Sequence, residues 1–160
     1  MTDVQPAPPP YHHTQIGYPV LVGMALGTLT QVRALIRDRR AGKPSWWLYA
    51  PGLLAFAALM MAFSRLTVEV DATRVSVAFG GWLARRRFEL HTIEAASAVK
   101  TSWLAGWGIR LTRQGWLYNA WGRGAVQLHL AGGHRFTIGT NEPEALLAAI
   151  ERARQGLRAA

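Results

Sequence analysis

The sequence predicts a membrane-anchored α+β protein: a two-helix transmembrane hairpin, then a small antiparallel β-barrel or sandwich of about seven strands capped by a C-terminal α-helix. Three observations predict it. Two stretches near the N-terminus, Ile16 to Val32 and Ser45 to Ser64, contain no charged residue. From Arg65 onward, apolar and polar residues alternate with the period of two that marks strands. The final stretch changes to a helical period with one apolar stripe.

Composition bounds the alternatives. The chain has 160 residues, 18 Lys+Arg against 9 Asp+Glu and a formal net charge of +9, yet 50% of it is hydrophobic and 17% charged. That is too apolar for a disordered chain. With no cysteine there is no disulfide framework, thiol nucleophile or Cys-ligated metal, and the redox compartment stays open.

Residues 1–15 read as a flexible tail, because Ala7-Pro8-Pro9-Pro10 cannot enter helix or sheet. The first span is expected over 16–36. Its uncharged run is at the short end of the roughly 17–25 residues that cross a bilayer, and Arg33 can snorkel to the headgroups. Tyr18 would be an interfacial aromatic at its start. No Lys or Arg precedes this run, so it reads as an anchor rather than a signal peptide.

The second span is expected over 45–64, a helix of about 30 Å. Trp46, Trp47 and Tyr49 cluster at one interface, Arg65 closes the other end, and Pro51 is expected to kink the helix. Two buried helices of a soluble bundle are the competing reading, but buried helices rarely go so long without a polar face.

Between the spans, residues 37–44 form a basic loop, Arg37-Asp38-Arg39-Arg40-Ala41-Gly42-Lys43-Pro44. Positive residues stay on the cytoplasmic side. The loop is therefore expected in the cytoplasm, with the N-terminus and the C-terminal domain outside a multi-pass cell (inner) membrane protein.

Residues 65–160 form the β-domain. Leu66, Val68 and Val70 face one way, and Thr67, Glu69 and Asp71 the other. Alternation resumes at Val75, Val77 and Phe79, at Phe88 and Leu90, around Arg110, over Trp116 to Asn119, at Val126, Leu128 and Leu130, and at Phe136 and Ile138. A helix follows over about 142–157, with Asn141 as N-cap and Glu144 three residues later as in a capping box. Leu146, Ile150, Ala153 and Leu157 form its stripe.

Gly106-Trp107-Gly108-Ile109-Arg110, Trp116-Leu117-Tyr118-Asn119, Gly122, Ala125-Val126-Gln127-Leu128 and Ile138-Gly139-Thr140-Asn141-Glu142-Pro143 follow one another in an order that resembles bacterial pleckstrin-homology-like (PH-like) domains of small membrane proteins. The resemblance covers roughly residues 45 to 155. It implies a seven-stranded barrel capped by a C-terminal helix and preceded by a pair of transmembrane helices. It implies no activity, and it does not carry over the inositol-phosphate binding of eukaryotic members.

Among candidate sites, Arg85, Arg86 and Arg87, with Trp82 and Leu83 before them, could hold anionic lipid headgroups. Against this, positive charge also protects a strand edge from pairing. Trp103, Trp107, Trp116 and Trp121 could stack on a ligand, but core and interfacial packing explains them better, and no nucleic-acid partner is expected. His12 and His13 sit in the expected tail, and His91, His129 and His134 lack ligand spacing, so no metal is expected. Gly106, Gly108, Gly122 and Gly124 lack the third glycine of a dinucleotide fingerprint. Glu142 and Glu144 suit the first turn of a helix.

No nucleophile–base arrangement is visible, so neither an enzyme nor a cofactor is expected. The expected function is a non-catalytic interaction domain at the membrane surface, binding an unknown membrane or envelope protein, anionic lipid, or both. The alternative is an auxiliary subunit of a transport or export complex that works through its helices. Gly23 and Gly27, four residues apart, would allow close helix contact.

Overall fold

A computed structural model describes residues 10–43, 47, 49–81, 83–102, 106 and 108–159. In chain order these form β1 (Tyr11–Ile16), α1 (Tyr18–Arg40), α2 (Tyr49–Phe63), β2 (Arg65–Val70), β3 (Arg74–Phe79), β4 (Leu83–Glu89), a 3₁₀ turn (Leu90–Thr92), β5 (Ile93–Lys100), β6 (Gly108–Thr112), β7 (Gly115–Asn119), β8 (Gly124–Leu130), β9 (Arg135–Gly139) and α3 (Pro143–Ala159). The protein is α+β, with an apolar N-terminal helix, two sheets and a C-terminal helix.

The sheets do not close into a barrel. One is antiparallel, in the order β1-β2-β3-β4, and the other runs β5-β8-β9-β7-β6. The second is mixed, because β7 and β9 pair in parallel. Among the described residues there are nine strands where about seven were expected. β5, Ile93-Glu94-Ala95-Ala96-Ser97-Ala98-Val99-Lys100, has alanines where alternation would need large apolar residues. β1 comes from residues first read as tail. Its His12 and Thr14 face solvent and its Gln15 is buried, so it enters the sheet by backbone pairing without an apolar pattern.

The sheets meet over a chain of rings. Phe63 lies 5.6 Å from Phe79, Phe79 5.7 Å from Tyr118, Tyr118 4.9 Å from Phe136, and Phe136 4.6 Å from Phe88. Tilted rings at such spacings add to the burial energy of the core. Phe63 ends α2, so the chain of rings also anchors the hairpin in the domain.

α3 covers the core with Leu146, Ala149, Ile150 and Ala153, whereas Leu157, expected on the same stripe, is exposed. The helix starts at Pro143, where a missing N–H costs nothing. Asn141 does not cap it: its Oδ1 is 2.7 Å from His13 Nε2, and the Thr140 hydroxyl accepts the Glu142 N–H instead.

The helices differ from the expected spans. α1 runs on to Arg40, and Arg37, Arg39 and Arg40 occupy its last turn, where the helix dipole favours cations. α1 is long and apolar enough to cross a membrane. α2 has 15 residues, about 22 Å, and by itself falls short of the expected 20-residue span. Pro51 is third in α2, within the first turn, where its N–H would be unpaired anyway, so no kink is needed.

Gly27 lies under the Phe56 ring, where a Cβ would come within 2.8 Å. At the far end, buried Asp38 accepts from Tyr49 Oη at 2.7 Å, Lys43 Nζ at 3.2 Å and Arg37 Nε at 3.3 Å.

Burial is inverted between the two parts. Leu66, Val75, Val77, Phe79, Val126, Leu128 and Ile138 are fully buried in the β-domain. In α2 no described residue is buried, and in α1 only Met24 and Asp38 are.

The β2–β3 turn is fixed by Asp71. Burial pushes its carboxyl pKa up. The N–H groups of Thr73 and Arg74, the Thr73 hydroxyl and the Arg74 guanidinium outweigh that and bring it down to about 2. A carboxylate lowered from its unfolded value of about 3.9 stabilises the fold above that value, and the stabilisation is lost as pH falls through about 2. Because the side chain is 43% exposed, the effect is about 1 kcal/mol. Asp71→Asn is expected to lower stability by that amount at pH 7 in urea unfolding followed by near-UV circular dichroism. The gap from the parent protein should close below pH 2, and a gap undiminished at pH 2 would locate the effect elsewhere than the carboxylate charge.

Candidate functional site

The site-like features gather where the helical hairpin joins the β-domain. Gly17 N–H donates to Ser64 C=O at 2.8 Å, and Gly80 N–H donates to Arg65 C=O at 2.8 Å. A Cβ on Gly17 would stand 3.1 Å from Ala120 O, and one on Gly80, which has φ +60°, 3.1 Å from Ala62 O. The β3–β4 and β7–β8 turns therefore press against the helix ends. Gln15 Nε2 donates to Trp121 C=O at 2.5 Å, tying the β7–β8 turn to β1.

Asn119 organises this end. It is buried and donates from Nδ2 to Gly122 C=O at 3.2 Å and Gly106 C=O at 3.4 Å. Gly139 lies against its side chain so closely that any Cβ would collide with Asn119 Oδ1. Gly106, Gly108 and Gly122 have φ of +66°, +94° and +92°, which L side chains rarely adopt. Gly108 pairs with Asn119, and Ile109 with the buried ring of Tyr118. Thr140 is buried beside Gly124, its N–H donating to Gly124 C=O at 3.0 Å. The residues of the family-like motifs thus form one connected scaffold, finished by Pro143 at the start of α3.

The charged candidates separate. Arg85, Arg86 and Arg87 are all exposed on β4. Arg86 pairs with Val77 and shares the face of Phe88, while Arg87 pairs with Ser76 on the other face. Arg85 donates back to Gly81 C=O at 2.7 Å, close to the hairpin base. The guanidinium of Arg110 lies over Gly106, 2.9 Å from where a Cβ would be. Tyr18 and Arg65 stand exposed at the hairpin base and Trp47 at its far end. Trp46, Trp82, Trp103 and Trp107 lie outside the described residues.

Trp116 and Trp121 do not join the core; they are 43% and 41% exposed. Trp116 sits opposite Leu111, which is 70% exposed. His12 and His13 belong to β1, not to a tail, with His12 Nε2 3.7 Å from Glu69 and His13 Nδ1 3.5 Å from Glu142. Among the described residues no three metal-ligating side chains gather.

Sequence reasoning missed Gln15 and Asp38. Asp38 carried a signal, as the only acidic residue between the apolar runs. In comparisons with known proteins, no family model, curated protein or solved structure matches the chain.

The Asn119 scaffold makes a direct prediction. Gly139→Ala must push Asn119 away from Gly106 and Gly122, and is expected to cost about 1–3 kcal/mol, as overpacking does. Gly156→Ala, at a position with open space around it, should be neutral or stabilising. Equal thermal midpoints for Gly139→Ala and the parent protein would remove Asn119 from this role.

Proposed function

We propose that the chain is a non-catalytic membrane protein that crosses the bilayer twice and presents its β-domain at the membrane surface to anionic lipid headgroups and a partner protein. The pairing of β1 with β2 carries this reading. It holds residues 11–16 and 65–70 in one sheet, so the segments before and after the hairpin lie on the same side of any membrane. If α1 crosses, α2 must bring the chain back.

The apolar exterior of the hairpin supports insertion. Val22, Leu26, Leu29, Leu54, Leu59 and Met61 are all exposed, and water-soluble monomers rarely expose contiguous apolar patches beyond a few hundred Å². α1 spans about 34 Å. The shorter α2 is accommodated by local thinning of the bilayer or by the residues that precede it.

Tyr18 and Trp121, both exposed, suit one interface, with Arg65 exposed at the hairpin base and Arg85 close to it. Arg33, Arg37, Arg39, Arg40 and Lys43 near the hairpin tip support a cytoplasmic tip, which would leave the β-domain outside. A capped β-domain suits the PH-like resemblance, although the parallel β7–β9 pair departs from a simple antiparallel barrel.

A protein partner is favoured at one place, the Leu111–Trp116 pair beside the edge strand β6, where apolar surface and unpaired backbone coincide. The alternative role in a transport complex has less support, because Phe56 of the same chain fills the space over Gly27.

The absence of native cysteine allows a clean test. Ala41→Cys at the tip and Ala72→Cys in the β2–β3 turn are labelled with a membrane-impermeant maleimide in intact and permeabilised cells. Ala72→Cys is expected to label in intact cells, and Ala41→Cys only after permeabilisation. The reverse pattern inverts the topology, and labelling of both from one side would rule out a crossing hairpin.

A further inference from the structure

We propose that the edge strand β6 takes up an extended segment of the partner protein as an added strand, and that this segment alternates apolar with acidic residues. The inference rests on the partner reading above and adds the chemistry by which the partner is recognised.

The edges of the two sheets differ in how they are protected. β5 ends its sheet under α3, and Arg154 Nη2 donates to Glu94 C=O at 2.6 Å. β4 carries three successive exposed arginines and an irregular register against β3. β1 leads into the helical hairpin, and its His13 contacts Asn141 and Glu142. β6 has none of these. It pairs with β7, no described strand pairs with its other side, and of its five residues only Arg110 is charged. In an antiparallel ladder alternate residues turn their N–H and C=O away from the partner, so this free side presents donors and acceptors at the spacing of another strand.

The register sets the side chains an added strand would meet. Exposed Leu111 stands directly opposite exposed Trp116, so the two share one face. Alternation puts Arg110 and Thr112 on the other face, and both are exposed. A strand laid beside β6 therefore has every second residue next to the Leu111–Trp116 surface and the intervening ones next to Arg110. Arg113, exposed in the turn that follows, carries positive charge past the end of the strand. Neither arginine forms an ion pair among the described residues.

Charge selects the occupant. From Ala95 to Asn141 the chain contains no Asp or Glu, but it contains Lys100, Arg110, Arg113, Arg123 and Arg135. All of β6, β7, β8 and β9 falls within this stretch. A second copy docked edge to edge would set one basic strand against another, and like charges across a strand pair are destabilising. An acidic residue beside Arg110 gains a cross-strand ion pair instead, and an apolar one beside Leu111 covers its exposed side chain.

The test uses the full chain in a neutral, uncharged detergent and measures the fluorescence anisotropy of labelled synthetic octapeptides. A peptide alternating valine and glutamate is expected to bind, and its valine–lysine counterpart to bind about tenfold more weakly. Leu111→Ser should weaken binding of the valine–glutamate peptide roughly tenfold, through the lost apolar contact. Arg110→Glu/Arg113→Glu should reverse the preference between the two peptides. N-methylating all the valines and, separately, all the glutamates should abolish binding in one case and spare it in the other, since only alternate N–H groups face β6.

No binding of the valine–glutamate peptide, or unchanged binding in Leu111→Ser with near-UV circular dichroism showing an intact domain, would overturn the proposal. Equal binding of both N-methylated peptides would show a polyanion held by charge alone and overturn strand addition. A dimer of the parent protein that Leu111→Ser dissociates would assign the edge to a second copy and overturn it too. In parallel, a photo-cross-linking phenylalanine analogue is placed at position 111 in cells. The lack of any protein adduct refutes the partner reading itself, whereas adducts without peptide binding refute strand addition alone.

Discussion

Six register pairs, from Tyr11↔Val70 to Ile16↔Arg65, tie the residues before the helical hairpin to those after it. A hairpin of two apolar helices has no fixed orientation relative to a soluble domain if a single flexible linker joins them. Here both ends of the hairpin are strands of one sheet, and the last rung is continued by the Gly17–Ser64 hydrogen bond. The helices therefore leave the domain as an extension of the β1–β2 ladder. Everything at that end of the domain takes its position from this: the Gly80 turn against α2, the Ala120–Gly122 turn against Gly17, and Phe63 packed on Phe79.

Closing this end places many backbone groups near one another, and the sequence meets the need with glycine and amide side chains. Asn119 and Gln15 donate to carbonyls of irregular segments that no sheet ladder reaches. Buried backbone carbonyls left without partners would each cost on the order of 1–3 kcal/mol. The glycines around Asn119 permit the turns that aim those carbonyls inward. A cluster that could pass for a binding motif in sequence is thus accounted for as scaffolding.

The legible parts of the fold were those where burial leaves a period in the chain. Val75, Val77 and Phe79 alternate because one face of β3 meets the core, and Leu146, Ile150 and Ala153 recur because one face of α3 does. β1 and β5 left no such trace. β1 is held by backbone pairing and by contacts of His13 with Asn141 and Glu142, and β5 reaches the core only through Ile93 and the small Ala96. Helix ends were legible only in part. The uncharged run ends at Val32 and a snorkelling Arg33 extends the expected span to Ile36, but the arginines that follow favour the helix C-terminus and carry it to Arg40. The parallel β7–β9 contact joins strands that have β8 between them in the chain, and no local pattern encodes it.

The tip of the hairpin carries most of the basic residues near the two helices, and on the proposed membrane reading this bears on orientation. At the hairpin base Arg65 stands exposed, and Arg85 donates to Gly81 C=O close by. Orientation, however, is set by Lys and Arg within about 15–20 residues of a span, as the segment inserts. Arg33, Arg37, Arg39, Arg40 and Lys43 meet that condition at the tip, whereas at the base only Arg65 and Arg74 do. Lys100, Arg110 and Arg123 lie more than 35 residues beyond Phe63, the last residue of α2. Residues so far along the chain fall outside the stretch whose charge bears on the orientation of a span. On the proposed membrane reading, it is the charge at the tip that would orient the hairpin.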